Sequence, residues 1–197
     1  MQVNPLVVAS ASPRRSELLT SCGIPYRTVN HEFDEDSVVE KDPGILAREI
    51  ALGKAQSVAC KPEFQGEYVL GVDTVVVYGE HVLGKPADRD EALKFIRLLE
   101  GKKHRVISGI ALVNREEDIA LAEYAESYVT FGTIDDKFLK NFLDNNHWRG
   151  YAGGYAIQGV FSLVIREIRG SYTNIVGLPT ETLYRMLNQI HYPVFGQ

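Results

Sequence analysis

An acid and a hydroxyl stand in the middle of the most strand-like stretch of the chain, Gly71-Val72-Asp73-Thr74-Val75-Val76-Val77. Its apolar, β-branched flanks predict a buried strand inside a sheet. A carboxylate in that setting is costly unless a cation, a metal or water lies beside it. Asp73 is therefore read as a catalytic or metal-binding carboxylate at a cleft, the alternative being a structural acid bonded to backbone. Whatever else the chain folds into must supply a partner for that charge.

With 197 residues there is room for one domain with a full core, or for two lobes around a cleft. Hydrophobic residues at 45% and charged residues at 24% are the proportions of a soluble globular protein. A net charge of -5 argues against a surface made for nucleic acid or anionic membrane, so phosphate-binding charge has to be concentrated locally. Cys22 and Cys60 are far apart and form no CxxC, which excludes a disulfide scaffold or a cysteine-rich zinc site. They are expected to be small buried hydrophobes in a reducing compartment. Residues 1–10 lack a basic n-region and a long apolar h-region, and no apolar run reaches the roughly 18 residues of a membrane span. A cytoplasmic protein without a membrane partner is expected.

Along the chain, Leu6-Val7-Val8-Ala9 predicts a short strand that stops at Ser10-Ala11-Ser12-Pro13-Arg14-Arg15. Ser12 and Pro13 suit the N-cap and first position of a helix, which Gly23 ends. Arg14 and Arg15 fall in the first turn, where the macrodipole prefers acids. Two cations beside free backbone N–H groups suggest an anion site. A second strand is expected at 26–29, then the acidic run His31-Glu32-Phe33-Asp34-Glu35-Asp36, either a solvated loop or a source of oxygen ligands for Mg²⁺. Asp42-Pro43 starts a helix reaching about Cys60, with Ile45, Leu46, Ile50, Ala51 and Leu52 as its core face.

After the central strand, Tyr78-Gly79-Glu80-His81 predicts a hairpin turn. Gly84-Lys85-Pro86 follows, without the GxxxxGK[ST] pattern of a Walker A loop; the first strand is likewise followed by no GxGxxG. Asp88 caps a predicted helix over 89–100 with Ala92, Phe95, Ile96 and Leu99 buried. Strands are expected at 104–113 and 119–131, and a helix at 134–143 carrying Phe138, Leu139 and Phe142 inward. His104 is read as structural. Ser108 is read as a polar contact in the cleft. Residues 148–159 hold four glycines within ten positions among aromatics, which suits a loop whose backbone closely approaches a ligand, or else a turn that supports the core. A final helix opens at Pro179 and runs to about 190.

Several of these segments, in the same order, resemble the Maf family of nucleoside triphosphate pyrophosphatases, the septum-formation Maf proteins. Ser10-Ala11-Ser12-Pro13-Arg14-Arg15 is similar to the family's opening signature, Gly53-Lys54-Ala55 to its lysine segment, Gly84-Lys85-Pro86 to its active-site lysine loop and His104 to Gly109 to its histidine-valine strand. Ala152 to Gly159 resembles its Ala-Gly-x-Tyr-x-Ile-Gln-Gly segment, and Gly170 to Pro179 its late motif. Tyr151 stands where the family usually has Lys, and Ala156 where Gly is common. Asn174 lies in the late motif, either lining the site or holding a turn. The resemblance places the family's acid at Glu35 and covers essentially the whole chain, implying one Maf-like domain over 1–197.

The resemblance implies cleavage of a nucleoside triphosphate between the α and β phosphates, giving the monophosphate and pyrophosphate. Such a reaction needs cations around the phosphates, a positioned water and a metal for the leaving charge. Ser12, Arg14, Arg15 and Lys54 would bind substrate, Asp73 and Lys85 would act in catalysis, and Glu35 with Asp73 would hold Mg²⁺ or Mn²⁺. Whether Asp73 is ligand or general base stays open. Arg14, Thr74 and Gln158 match the YhdE-type pattern associated with dTTP and UTP, and Gln158 has the donor and acceptor to read a pyrimidine edge. The alternatives are a pyrophosphatase for non-standard purine or 7-methyl-GTP nucleotides, and a nucleotide-binding regulator of septum formation. Members of the family are often dimers, so a homodimer stays open, and no apolar stripe marks its interface. The expected fold is α/β: a mixed twisted sheet flanked by helices, in two lobes around a central cleft, as in Maf and ITPase-like proteins.

Overall fold

The computed structural model describes residues 4–194. Seven strands form one sheet: β1 (Leu6–Val8), β2 (Tyr26–Thr28), β3 (Val69–Tyr78), β4 (His81–Leu83), β5 (Lys103–Asn114), β6 (Ile119–Phe131) and β7 (Ile165–Arg169). Their order is β2-β1-β3-β5-β6-β7, with β4 on β3. β1 runs parallel to β2 and β3, whereas β4 on β3 and β7 on β6 are antiparallel, so the sheet is mixed as expected. Among the described residues six α-helices accompany it: α1 (Pro13–Ser21), α2 (Pro43–Ala59), α3 (Arg89–Leu99), α4 (Asp136–Asp144), α5 (Tyr172–Val176) and α6 (Thr180–Gln189).

By packing, the described chain divides into two compact units. The first comprises the residues up to Asp73, Ser108–Ala125 and those from Gly177 onward; the second comprises Thr74–Ile107 and Glu126–Val176. In the first unit, side chains alternate across the strands with period two. Leu6, Val8, Leu70, Val72, Ile110 and Leu112 join Leu19 of α1 and Leu183, Met186 and Leu187 of α6 in one apolar cluster. Val7, Ala9, Val69, Ala111 and Val113 join Ala51, Ala55, Val58 and Ala59 of α2 in another. Each helix of the unit is thereby bound to one face or the other of the same strands.

How close α2 comes to its face is set by glycines. A Cβ on Gly71 would lie 2.0 Å from the Ala51 carbonyl oxygen, and one on Gly109 would lie 2.0 Å from that of Ala47. Small residues at 47, 51 and 55 recur every four positions and form the helical stripe laid on those glycines. The buried face of α2 is therefore Ala47, Ile50, Ala51, Ala55 and Val58, not the expected Ile45, Leu46 and Leu52, which are only half-buried. Gly71→Ala is expected to lower stability by about 1–3 kcal/mol, because the obstructing atom is helix backbone rather than a mobile side chain. Urea denaturation against the wild type checks this, and an unchanged midpoint would show that α2 yields freely.

Local signals read from the sequence recur in the structure. Asp42 accepts from the Gly44 and Ile45 amides at 2.8 and 2.9 Å, and Asp88 from Glu91 at 2.8 Å, each at the start of its helix. Gly79 turns the β3–β4 hairpin at φ +59°. The cysteines differ from expectation. Cys60 is exposed at the C-cap of α2 and Cys22 is half-buried, because both end their helices beyond the last buried turn.

In the second unit, α3 buries Ala92, Ile96 and Leu99, and α4 buries Leu139, Phe142 and Leu143. Phe138 is half-buried, stacked on Phe142. Glu100 accepts the Ile134 amide at 2.7 Å and Arg97 pairs with Asp136, tying the end of α3 to the start of α4. An aromatic cluster of His104, Phe131, Tyr155 and Phe161, in mostly edge-to-face contact, packs through Phe161 against Phe142 of α4. No described helix is long and apolar enough to cross a membrane.

Candidate active site

Asp73 lies on β3 two residues after Gly71, hence on the same face, directed toward α2. It is 8% exposed. Its partner is Lys54 of α2, itself 4% exposed, whose Nζ donates to Asp73 Oδ1 at 2.7 Å. The close approach at Gly71 is what lets an ammonium on the helix reach a carboxylate on the sheet. The same Nζ lies 2.9 Å from Glu35 Oε1, so one cation bridges two acids. Lys54 is thus a buried lysine with a carboxylate on each side, and not a solvated one.

Glu35 starts a 3₁₀ turn, Glu35–Ser37, capped by Asp34. His31 Nε2 stands 3.7 Å from Glu35 Oε1. Burial and the Lys54 charge push the His31 imidazole below its ordinary range, so it is neutral at pH 7.

Arg15 completes the cluster from α1. Its Nη1 donates to Ser10 Oγ at 2.8 Å and its Nε to the Gly177 carbonyl at 2.9 Å. Burial lowers the Arg15 pKa, opposed chiefly by the Asp73 charge, and the guanidinium stays protonated. Arg14, half-buried beside it, adds positive potential. Ser12 is the N-cap residue of α1 as expected, yet its hydroxyl makes no capping bond. Its amide instead donates to Ser10 Oγ at 3.2 Å, so Ser10 is the hub of this loop. Sequence reasoning missed Ser10 and Gly177 as supports of Arg15, the only signal being that both fall inside quoted motifs.

Lys54 and Arg15 stand against the two carboxylates, and Arg14 beside Arg15 adds a third positive charge, a surplus suited to an anion. Among the described residues there is no group of three or more His, Cys, Asp or Glu able to hold a metal as an all-protein cage. Glu35 and Asp73 form a carboxylate pair, each with lone pairs beyond the one facing Lys54, and Mg²⁺ is commonly held by one or two carboxylates plus substrate phosphates. The donor set fits a divalent cation on those terms.

Thr74, Lys85 and Gln158 belong to the second unit. Thr74 follows Asp73 on β3 and is half-buried; Lys85 and Gln158 are exposed. The Gly153 amide donates to the Gly84 carbonyl at 2.9 Å, joining the lysine loop to the glycine-rich segment. A Cβ on Gly153, at φ +69°, would meet Val76 at 3.0 Å. Gly153, Gly154, Tyr155 and Ile157 are buried, so these glycines pack against the core, the second of the two expected uses. Gln158 precedes the 3₁₀ turn Gly159–Val164 and its side chain makes no capping bond.

Three neighbouring expectations resolve toward structure. Ser108 is completely buried on β5, on the same face as Ile110, and is not open to solvent. Asn174 is completely buried and donates from Nδ2 to the Val106 carbonyl at 3.1 Å and to Ser127 Oγ at 2.9 Å. His104 shares a 2.8 Å hydrogen bond with Tyr155 Oη, and burial drives its pKa down to about 4.

The profile of the family described as Maf-like protein matches residues 5–190. The chain belongs to that family. Among curated relatives, the dTTP/UTP pyrophosphatase of Symbiobacterium thermophilum is 40% identical over 190 residues, covering 96% of each chain. That of Syntrophotalea carbinolica is 40% identical over 92% of this chain and 84% of its own. That of Clostridioides difficile is 39% identical over 93% and 94%. The Asp73–Lys54–Glu35 bridge and the Arg15 anchor are therefore features of a Maf-like protein.

Proposed function

We propose that this Maf-like protein is a hydrolase that cleaves dTTP and UTP between the α and β phosphates, yielding the nucleoside monophosphate and pyrophosphate. The observation that carries the reading is the buried Lys54 bridging Asp73 and Glu35 beside Arg15, in a chain about 40% identical over most of its length to proteins named dTTP/UTP pyrophosphatases. In this reading Arg14, Arg15 and Lys54 hold phosphate oxygens, with the Ser12 hydroxyl available to donate and Lys85 adding a point charge. Asp73 orients a water and takes its proton as the water oxygen bonds to the α phosphorus and the bond to the bridging oxygen breaks. Glu35 and Asp73 are the residues that would hold Mg²⁺ or Mn²⁺, which when bound neutralises phosphate and leaving-group charge. Gln158 reads the pyrimidine edge, and Thr74 lies next to the catalytic acid. The two free cysteines support a reducing, cytoplasmic setting.

The test is pyrophosphate release from a panel of standard, methylated and deaminated nucleoside triphosphates with Mg²⁺ or Mn²⁺. dTTP and UTP are expected to lead, and Gln158→Ala to reduce their advantage over dCTP and purines by about tenfold, the worth of a lost polar readout of 1–2 kcal/mol. A tenfold preference for 7-methyl-GTP would overturn the pyrimidine assignment, and silence across the panel from folded protein would overturn the enzyme.

A further inference from the structure

The acidic run that presents Glu35 is tied to α2 and the residues just after it by two charge contacts, Glu35 with Lys54 at 2.9 Å and Glu32 with Lys61 at 2.8 Å. The Glu35 side chain is 42% exposed, and nearby Val39 is 95% exposed as a residue. The turn is internally held, with Asp34 Oδ1 accepting the Asp36 amide at 3.2 Å and the Ser37 hydroxyl donating to the Asp34 carbonyl at 2.6 Å, but these bonds fix its shape and not its place. The Glu32–Lys61 pair is exposed and so worth little, and the Lys54 contact holds Glu35 only through a carboxylate that is itself half in solvent.

One apolar contact stands out. A Cβ built on Gly53, the residue before Lys54, would lie 2.3 Å from Cζ of Phe33, 2.4 Å from Cε2 and 2.7 Å from Cε1. The Phe33 ring therefore rests on bare helix backbone, two residues before Glu35. Gly53 sits inside the 17-residue α2, where glycine costs about 1 kcal/mol relative to alanine. Its φ is not among the positive values of the chain, so no backbone requirement explains it. Room for the ring does.

We propose that Phe33, seated on Gly53, is a positioning residue that holds Glu35 against Lys54. The seat and the bridging ammonium are adjacent on one helix, so docking the ring sets the distance from Glu35 to the charge it shares with Asp73. The inference rests on the reading of Glu35 as a group that acts on the nucleotide and its metal.

The experiment compares wild type, Gly53→Ala, Phe33→Ala, the double variant and Glu35→Gln. It uses Mn²⁺ titration followed by electron paramagnetic resonance in the presence of the α,β-methylene analogue of UTP, metal-dependent pyrophosphate release from dTTP, and urea denaturation. Gly53→Ala gains about 1 kcal/mol of helix propensity while displacing the Phe33 ring, two effects of opposite sign, so its stability is expected to stay within about 1 kcal/mol of wild type. Mn²⁺ binding should nevertheless weaken by about tenfold or more, the range seen when a ligand loses its support. The half-saturating metal concentration should rise in step. Phe33→Ala should do the same, and the double variant should be no worse than Phe33→Ala, since the new methyl then displaces nothing. Wild-type Mn²⁺ affinity in Gly53→Ala or in Phe33→Ala, alongside a weakened Glu35→Gln, would overturn the positioning role alone. Wild-type affinity in Glu35→Gln would instead overturn the assignment of Glu35, and the proposal with it.

Discussion

Lys54→Met is expected to destabilise the protein by about 3–5 kcal/mol and to slow pyrophosphate release by at least ~10²-fold. The Lys54 side chain is 5% exposed and that of Asp73 11%, and Nζ lies 2.7 Å from one carboxylate and 2.9 Å from the other. Removing the ammonium deprives the buried Asp73 side chain of its hydrogen-bonded cation and leaves it facing a second acid, which is the costly way to break an ion pair. Asp73→Asn removes the same pairing from the other side but leaves Lys54 bonded to Glu35, so it should be less destabilising while losing at least as much activity. The double variant should recover much of the stability lost by Lys54→Met and none of the turnover. Urea denaturation at pH 7, set beside initial rates at saturating metal, separates these effects. Substantial activity in Lys54→Met would mean that the bridge is structural.

The second large effect is on stability against pH. His104 is 2% exposed, in edge-to-face contact with Phe131 and Tyr155, and burial lowers its pKa from 6.5 to about 4. The folded state thus refuses a proton that the unfolded chain accepts between those values. Stability from this group is fully present above pH 6.5 and falls as the pH drops through 6.5 toward 4. A shift of that size amounts to about 3 kcal/mol by pH 4. Denaturation midpoints measured across that range should decline more steeply for the wild type than for His104→Asn, whose amide does not titrate. Equal slopes would show that the native core admits the imidazolium.

Much of the architecture was legible because its causes are local. The Asp42 and Asp88 caps, the Gly79 turn and the β-branched run of β3 each act within a few residues, so their patterns survive in the sequence. β7 escaped notice. Its Ile165-Arg166-Glu167-Ile168-Arg169 is mostly exposed at the sheet edge, and its pairing with β6 carries the information that its composition lacks. α5 was hidden in a stretch of turn formers and is short. Asn174, Ser108 and the glycines at 153 and 154 lie in segments that resemble active-site motifs, but their burial shows them supporting the core.

The sequence by itself determined an α/β chain with a carboxylate set in an interior strand, cations gathered in the first turn of α1 and an acidic run after the second strand. Residue type and spacing suffice for that, since propensity, capping and alternation are short-range. Only the tertiary structure decided which charges meet. Lys54 reaches Asp73 because Gly71 and Gly109 let α2 approach the strands at backbone distance. Arg15 is held by a carbonyl 162 residues away, and Glu35 comes in on a ring that fills the space left by Gly53. Each is a consequence of close packing between segments remote in the chain, where the deciding quantity is the room between two backbones and no local pattern records it.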